Sequence, residues 1–347
     1  MNKTPKELGY YFPAEFERHT ATWLSWPHKE ASWPGKIDTI YPVYAQFIKH
    51  VAEGERVHIN VIDETMRQQA LRCVRDAGAD LSKVEFFLHP TNDAWCRDHG
   101  PAFLINPLAK EKKVVVDWGY NAWGGKYPPF ELDDNIPTLV AQHYKLPVFY
   151  PGIVMEGGSV DFNGRGTILT TTSCLLNPNR NPQLNQGQIE QFLHDFYGAE
   201  NILWLGDGIV GDDTDGHIDD ITRFVNKNTV VTVVEPNKRD ANFHPLQENL
   251  KNLKKLRLED GKQMNVVELP MPGAVVFEDM RLPASYANFY ISNNYVVVPT
   301  FRDKNDDAAL TILQQCFPDR KVVGLDSLDI IWGLGSFHCL SQQEPEV

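Results

Sequence analysis

At 347 residues the chain exceeds the ~250 to 300 residues that one ordinary core fills, so two domains or one domain built from repeats is expected. Its 33 Lys and Arg against 46 Asp and Glu leave a net charge of −13, which disfavours nucleic acid and anionic membrane as partners and favours a cationic one. The stretch Met1-Asn2-Lys3-Thr4-Pro5-Lys6-Glu7 lacks the apolar segment of a leader and no run approaches ~18 apolar residues, so a cytoplasmic protein is expected.

Taken in chain order, apolar periodicity and turn residues spell out one unit several times: a hairpin, an amphipathic helix, then a short β-branched strand. A strand around Thr22 to Ser25 and a helix near Ile40 to Val51 come first. Asp98 then precedes strands at Ala102 to Ile105 and Val114 to Trp118 and a helix near Asp133 to Tyr144. Glu156 opens a hairpin turning at Asn163-Gly164, followed by a helix near Gln186 to Tyr197 and the strand Asn201 to Leu205. His217 opens the next, turning at Asn226-Lys227-Asn228, with a helix near Pro245 to Leu256 and a strand at Val266 to Leu269. The unit near Ser285 turns at Asn293-Asn294 and has a helix near Asp306 to Cys316 and a strand at Lys321 to Leu325. The last begins at Cys339 and borrows the N-terminal strand, which would close a ring. No long linker interrupts the pattern, so residues 1 to 347 read as one domain.

Side chains in the same phase of a closed repeat point to one place. Asp98, Glu156, His217 and Cys339 should therefore converge. The five cysteines, Cys73, Cys96, Cys174, Cys316 and Cys339, are odd in number with no C-x-x-C pair, which argues against disulfides and a zinc site. Of these, Cys339 alone has unusual surroundings, in Gly333-Leu334-Gly335-Ser336-Phe337-His338-Cys339, where glycines fit a backbone that approaches a ligand. Each motif also has a plainer reading. Asp98 before His99-Gly100-Pro101 suits a turn residue, Glu156-Gly157-Gly158 a surface turn, and Cys339 a buried structural thiol. Asp212 to Asp220 suits a hydrated acidic loop or a divalent metal site. On a strand, His217 and Asp219 would share one face while His338 would alternate away from Cys339.

Together a thiol, an imidazole and several carboxylates suit the central carbon of a guanidinium. Asp98 and Asp219 would grip its planar donors, and Cys339 would attack as a thiolate favoured by the substrate's own charge. His217, held by Glu156, would protonate the departing ammonia and then activate water. Trp95, Trp123 and Asp213 are available for the rest of the substrate. No metal or organic cofactor is required. A metal-dependent hydrolase, an amidinotransferase and a non-catalytic arginine-binding module are the alternatives.

These residues, with Asn121-Ala122-Trp123-Gly124-Gly125, Leu176 to Pro182 and Ala284 to Tyr290, resemble the agmatine deiminase and Porphyromonas-type peptidylarginine deiminase family. The resemblance implies a five-bladed α/β propeller with pseudo-fivefold symmetry and the roles just given to Cys339, His217, Glu156, Asp98 and Asp219. It also implies hydrolysis of agmatine to N-carbamoylputrescine and ammonia, in polyamine metabolism, with protein-bound arginine as the alternative substrate. Related enzymes often dimerise, so a homodimer is the assembly it suggests. The chain departs from the family's agmatine enzymes at His99, where Thr is typical, at Leu334, Ser336 and Phe337, and at Asp161-Phe162-Asn163. These departures are expected to reshape the pocket without removing a catalytic residue.

Overall fold

The computed structural model describes residues 3–347, so Met1 and Asn2 of the N-terminal stretch lie outside the described residues. It is a mixed α/β fold in which five sheets of three or four strands repeat one pattern, an antiparallel pair followed by a parallel strand. Ala102–Ile105, Lys113–Val116 and Val148–Phe149 form one sheet. The next is Val160–Phe162, Thr167–Thr171 and Asn201–Leu205. Thr222–Asn226, Thr229–Val234 and Asn265–Pro270 make another, and Tyr290–Ile291, Tyr295–Thr300 and Lys321–Asp326 the one after.

The remaining sheet joins the two ends of the chain. Its C-terminal strand Ser341–Pro345 pairs antiparallel with His19–Ser25, which pairs parallel with Arg56–Asn60. A further helix, Glu64–Asp76, and the strand Val84–Phe87 extend this sheet to four strands, an elaboration the repeat does not predict. Crossover helices lie where the periodicity puts them. Gln186–Tyr197 and Asp306–Cys316 coincide with the predicted spans, and Ile37–Ala52 and Phe243–Leu253 shift by a few residues. The long helix expected near Asp133 to Tyr144 is divided into Glu131–Asp134 and Ile136–Tyr144, with Pro137 in the first turn of the second, where its missing N–H costs nothing.

The strands are continuous apolar runs because both faces of each sheet are covered, and alternate side chains enter different cores. Phe103 and Val115 pack with Trp23, whereas Leu104, Val114 and Val116 pack with Phe162 and Ile168. Leu169 turns to a cluster with Phe224 and Val230, whose strand neighbours Val231 and Val233 pack with Val296 and Val298. Val297 completes the series by packing with Leu24 and Val57 of the end-joining sheet. Each core is thus shared by two sheets consecutive in the repeat. All five cysteines are free, and among the described residues no helix is long and apolar enough to cross a membrane.

The end-joining strand is fastened by a buried acid. Glu344 accepts from the Trp23 indole N–H at 2.9 Å and from Lys113 Nζ at 2.7 Å. Removing one partner of such a pair leaves an uncompensated polar group, so Glu344→Ala is expected to lower the free energy of unfolding by about 3 kcal/mol. Urea unfolding measures it. A midpoint equal to that of the parent would show that this tie contributes nothing to the closure.

Candidate active site

Each site residue sits on the segment leading into a sheet. Asp98 lies in the single helical turn Cys96–His99, which Gly100 ends where a Cβ would stand 2.2 Å from the Cys96 carbonyl oxygen. His217 caps the 3₁₀ turn Ile218–Asp220, so His217 and Asp219 are not strand neighbours as expected. A tight turn still brings His217 Nδ1 within 4.0 Å of Asp219 Oδ1 and 3.8 Å of Asp98 Oδ1. Cys339 Sγ lies 3.5 Å from Asp219 Oδ2. Gly158 stands at the meeting point: a Cβ there would come within 2.6 Å of His217 Nδ1, 2.8 Å of Asp98 Oδ1 and 3.0 Å of Asp219 Oδ2. Only glycine leaves room for all three.

Glu156 accepts from Arg180 Nε at 2.6 Å, and its other oxygen, both His217 nitrogens and Asp219 Oδ1 are buried without a hydrogen-bond partner. Glu156, Cys174 and His217 bring one ligand-type atom each within 4.8 Å of one another. A metal fits them poorly, since the Arg180 guanidinium already occupies Glu156 and burial pushes the Cys174 thiol up, against the thiolate a metal needs. Cys339 is therefore not alone among the cysteines in having unusual surroundings.

The acidic loop is largely structural. Asp212 accepts from the backbone N–H groups of Thr214, Gly216 and His217 at 2.8 to 3.0 Å, and Asp215 pairs with Arg180 and with Lys126 at 2.9 Å. The loop is neither a hydrated face nor a cation cage. It is the brace that fixes His217.

Above these groups opens a cavity of about 240 Å³. Trp95, Asp98, Trp123, Asp213 and Cys339 line it, as expected, together with Lys29, Asp93, Tyr127, Phe277, Met280 and Trp332, which the motifs do not reveal. His217, Glu156 and Asp219 are fully buried beneath its floor. Trp95 stacks on Trp33 with ring centroids 5.1 Å apart, and Gly333 and Gly335 lie against its indole, so these glycines serve that packing as much as access to the cavity. Trp123 donates its indole N–H to Asp98 Oδ2 at 2.9 Å from a left-handed backbone, φ 57°. Tyr127 donates its hydroxyl to Asp213.

The unit near Ser285 contributes an amide that periodicity does not single out. Asn288 Nδ2 donates to Cys339 Sγ at 3.0 Å and to Asp220 Oδ1 at 3.0 Å, while its oxygen accepts from the backbone N–H groups of Ser336 and Cys339. His338 does not alternate away on a strand. It sits in the turn before Ser341–Pro345 and bonds Asp219 Oδ2 through Nδ1 at 2.6 Å and Glu15 Oε2 through Nε2 at 2.8 Å.

Protonation follows burial and neighbours. Burial, then Asp219, Asp220 and Asp98, push the Cys339 thiol well above its ordinary value. Burial alone would lower His217, but Asp98, Cys174 and Asp219 together raise it well above the usual imidazole value. Asp98 is raised to about 6 by burial against the pull of His217. Burial would raise Asp219 too, yet His338, His217 and Arg223 hold it below the ordinary value. The site thus pairs a neutral thiol with a charged imidazole, each beside carboxylates that favour a cation.

Two of the departures lie away from the cavity. The His99 ring is buried, with Nε2 3.0 Å from the Ser25 hydroxyl oxygen, and Asp161 pairs with Arg223 at 3.3 Å. Arg97 points away as well, to Glu15 at 2.8 Å, and cannot meet a substrate carboxylate.

The model of the Porphyromonas-type peptidyl-arginine deiminase family matches residues 11–345. A Legionella pneumophila (strain Paris) protein provisionally named an agmatine deiminase is 39% identical, the match covering 100% of this chain and 98% of that protein. Among solved structures, the agmatine deiminase of Enterococcus faecalis superposes with a TM-score of 0.92 at 31% identity, over 100% of this chain and 98% of that one. The C. jejuni agmatine deiminase gives 0.84 at 33% identity, over 97% and 96%. With a family model spanning nearly all of its length and such relatives matching end to end, the chain belongs to the Porphyromonas-type peptidyl-arginine deiminase family.

Proposed function

We propose that the protein is a hydrolase that deiminates a small guanidinium substrate, agmatine foremost, to N-carbamoylputrescine and ammonia. The observation that carries this reading is the meeting of His217, Asp98 and Asp219 around Gly158, with Cys339 Sγ 3.5 Å from Asp219 Oδ2 and Glu156 beside His217. The names of the relatives from Enterococcus faecalis and C. jejuni point the same way. In this reading residues 1 to 347 form one deiminase domain, a five-bladed α/β propeller with pseudo-fivefold symmetry. The sharing of each apolar core by two consecutive sheets, including the end-joining one, supports it.

The guanidinium enters between Asp98 and Asp219, whose remaining lone pairs match its planar N–H donors. Its positive charge offsets the carboxylates that hold Cys339 neutral, and the thiol releases its proton to solvent through the cavity. The thiolate attacks the central carbon, and the charged His217 protonates the departing nitrogen, which leaves as ammonia. The resulting S-alkylthiouronium is hydrolysed by water that the now neutral His217 deprotonates, and as the C–S bond breaks the hydroxyl proton of the adduct returns to sulfur and restores the neutral thiol. Glu156 lies beside His217 and helps hold its charged form.

The cavity walls favour an amine tail. Asp93, Asp98 and Asp213 line them against one cation, Lys29, which lies 3.5 Å from Asp93. Burial raises Asp93 and Asp213, so a nearby ammonium stabilises their ionised forms. The carboxylate of free arginine would meet these acids as a like charge, at a cost of several kcal/mol. Agmatine is therefore expected to exceed free arginine and a blocked arginyl peptide in kcat/KM by roughly 10²-fold or more. Cys339→Ala should lower ammonia release from agmatine by at least roughly 10³-fold in a folded protein, and an undiminished rate would remove Cys339 as the nucleophile.

The acid side of the pH profile has a definite sign. Asp98 must be ionised to bind a cation, and the folded protein raises it from 3.8 to about 6, so it is neutral below that pH. The value of kcat/KM should fall about tenfold per pH unit below that point. A flat profile from pH 7 to pH 4 would contradict the role of Asp98.

A further inference from the structure

One part of the cavity wall belongs to none of the five repeated sheets. Val276–Phe277 and Met280–Arg281 form a two-stranded sheet of their own, bonded to no other strand among the described residues. A two-stranded hairpin alone is marginally stable in water. Its two-residue tip, Glu278 and Asp279, has left-handed backbone at both positions, φ 46° and 65°, the geometry of a type I′ turn made here without glycine. Val276 and Met280 are about half exposed. Such a piece holds its place by what it leans on.

It leans on the two segments that carry the reacting groups. The Phe277 and Trp332 rings are in contact, with centroids 3.5 Å apart, and Trp332 belongs to the turn Ile330–Gly333 that runs into Leu334 and on to Cys339. At the base, Gly211, which begins the loop leading to His217, packs so closely that a Cβ there would stand 2.2 Å from the Arg281 carbonyl oxygen. Arg281 Nη1 reaches Asp240 Oδ1 at 2.7 Å, and the Leu282 N–H closes the base on the Val275 carbonyl at 2.8 Å. Phe277, Met280 and Trp332 together wall a cavity of about 240 Å³, smaller than the ~300 to 1,000 Å³ clefts that hold drug-sized ligands. A guanidine on a short free tail fits within such a space. An arginine inside a polypeptide must run main chain out of it in both directions.

We propose that the hairpin of residues 276–281 is a flap that, closed on Trp332, sets the size limit of the site, admitting free guanidines with a short tail and rejecting arginine held in a polypeptide. The proposal rests on the deiminase reading above. Its hinge is the base at Val275 and Leu282. Its latch is the Phe277 and Trp332 contact, with the Arg281 pair holding the base.

The test compares kcat/KM for agmatine and for N-acetyl-Gly-Arg-Gly-amide in the parent, in Phe277→Ala/Met280→Ala and in Arg281→Ala. Phe277 packs on the edge of the core that holds Val296 and Val298, whereas Arg281→Ala loosens the base without touching that core or the cavity wall, so the two variants test the flap independently. The parent should turn over the peptide at least a hundredfold less well than agmatine. Either variant should raise the peptide-to-agmatine ratio tenfold or more. A ratio unchanged in both, with agmatine turnover retained, overturns the flap and leaves the deiminase reading intact. Peptide turnover by the parent equal to that of agmatine overturns the size limit. Absence of turnover of any guanidine by the parent overturns the deiminase reading, and the flap with it.

Discussion

The arrangement of the reacting groups depends on one buried carboxylate that no motif marks. Glu15 pairs with Arg97 at 2.8 Å, with Arg223 at 3.0 Å and with His338 at 2.8 Å, and accepts from the Ile291 N–H at 2.9 Å. Arg223 also pairs with Asp161, so side chains or backbone from segments belonging to all five repeated sheets meet in one ionic cluster. Arg223, His338 and Arg97 hold Glu15 well below the usual carboxylate range although burial pushes it up. Buried charges of this kind are tolerable only when compensated and hydrogen-bonded. The compensation here is geometric as well as electrical. His338 links Glu15 to Asp219 Oδ2, so the cluster fixes the carboxylate beneath Cys339 and leaves Asp219 Oδ1 without a partner.

The same economy explains why a thiol can rest quietly among acids. With Asp98, Asp219 and Asp220 around it, a bare thiolate at Cys339 is disfavoured, and Asn288 and Asp219 hold the neutral group by its two hydrogen-bonding capacities. Those carboxylates turn from hindrance to help once a cation lies between them. A guanidinium is the cation that stays charged at every physiological pH and presents planar donors to two acids at once. In the proposed reaction, the environment that keeps the Cys339 thiol neutral is thus also the one that favours a guanidinium. The charged state of His217 follows from Asp98, Cys174 and Asp219, so in the proposed reaction the proton for the leaving nitrogen is available at the outset.

Much of this was legible in the residues because the repeat imposes a phase. Strand runs such as Ala102–Ile105 and Asn201–Leu205, and helices such as Gln186–Tyr197, follow from periodicity and turn residues alone, and a shared phase gathers Asp98, Glu156, His217 and Cys339. What periodicity cannot carry is long-range pairing. Asn288 lies three positions beyond the expected start of its unit and meets Cys339 of the following unit, 51 residues on. Cys174 and Arg180 reach His217 and Glu156 from the segment after a hairpin, where spacing gives no signal. His338 departs from alternation for a related reason. Alternation assumes an extended backbone, and the residues around Cys339 form a turn. The acidic run Asp212 to Asp220 misleads in another way, because its density suggests an ion site while both oxygens of Asp212 accept from the loop's own backbone and both of Asp215 are taken by Lys126 and Arg180.

The departures from the family pattern can be ranked by where they fall. His99 and Asp161 sit in buried contacts with Ser25 and Arg223, so they are substitutions in the support of the site. Leu334 is different. It stands where the resembling agmatine enzymes usually carry glycine, and its backbone is left-handed, φ 69°, a conformation that costs an ordinary side chain roughly 1 to 2 kcal/mol and glycine almost nothing. Strain of that size persists only where the surrounding structure enforces it. The Leu334 side chain joins Trp332, Phe277 and Met280 in lining the cavity, an apolar surface that glycine could not supply. The strain is therefore tied to the wall that faces the substrate's tail, whereas the guanidinium end keeps Cys339, Asp98 and the acids beneath them.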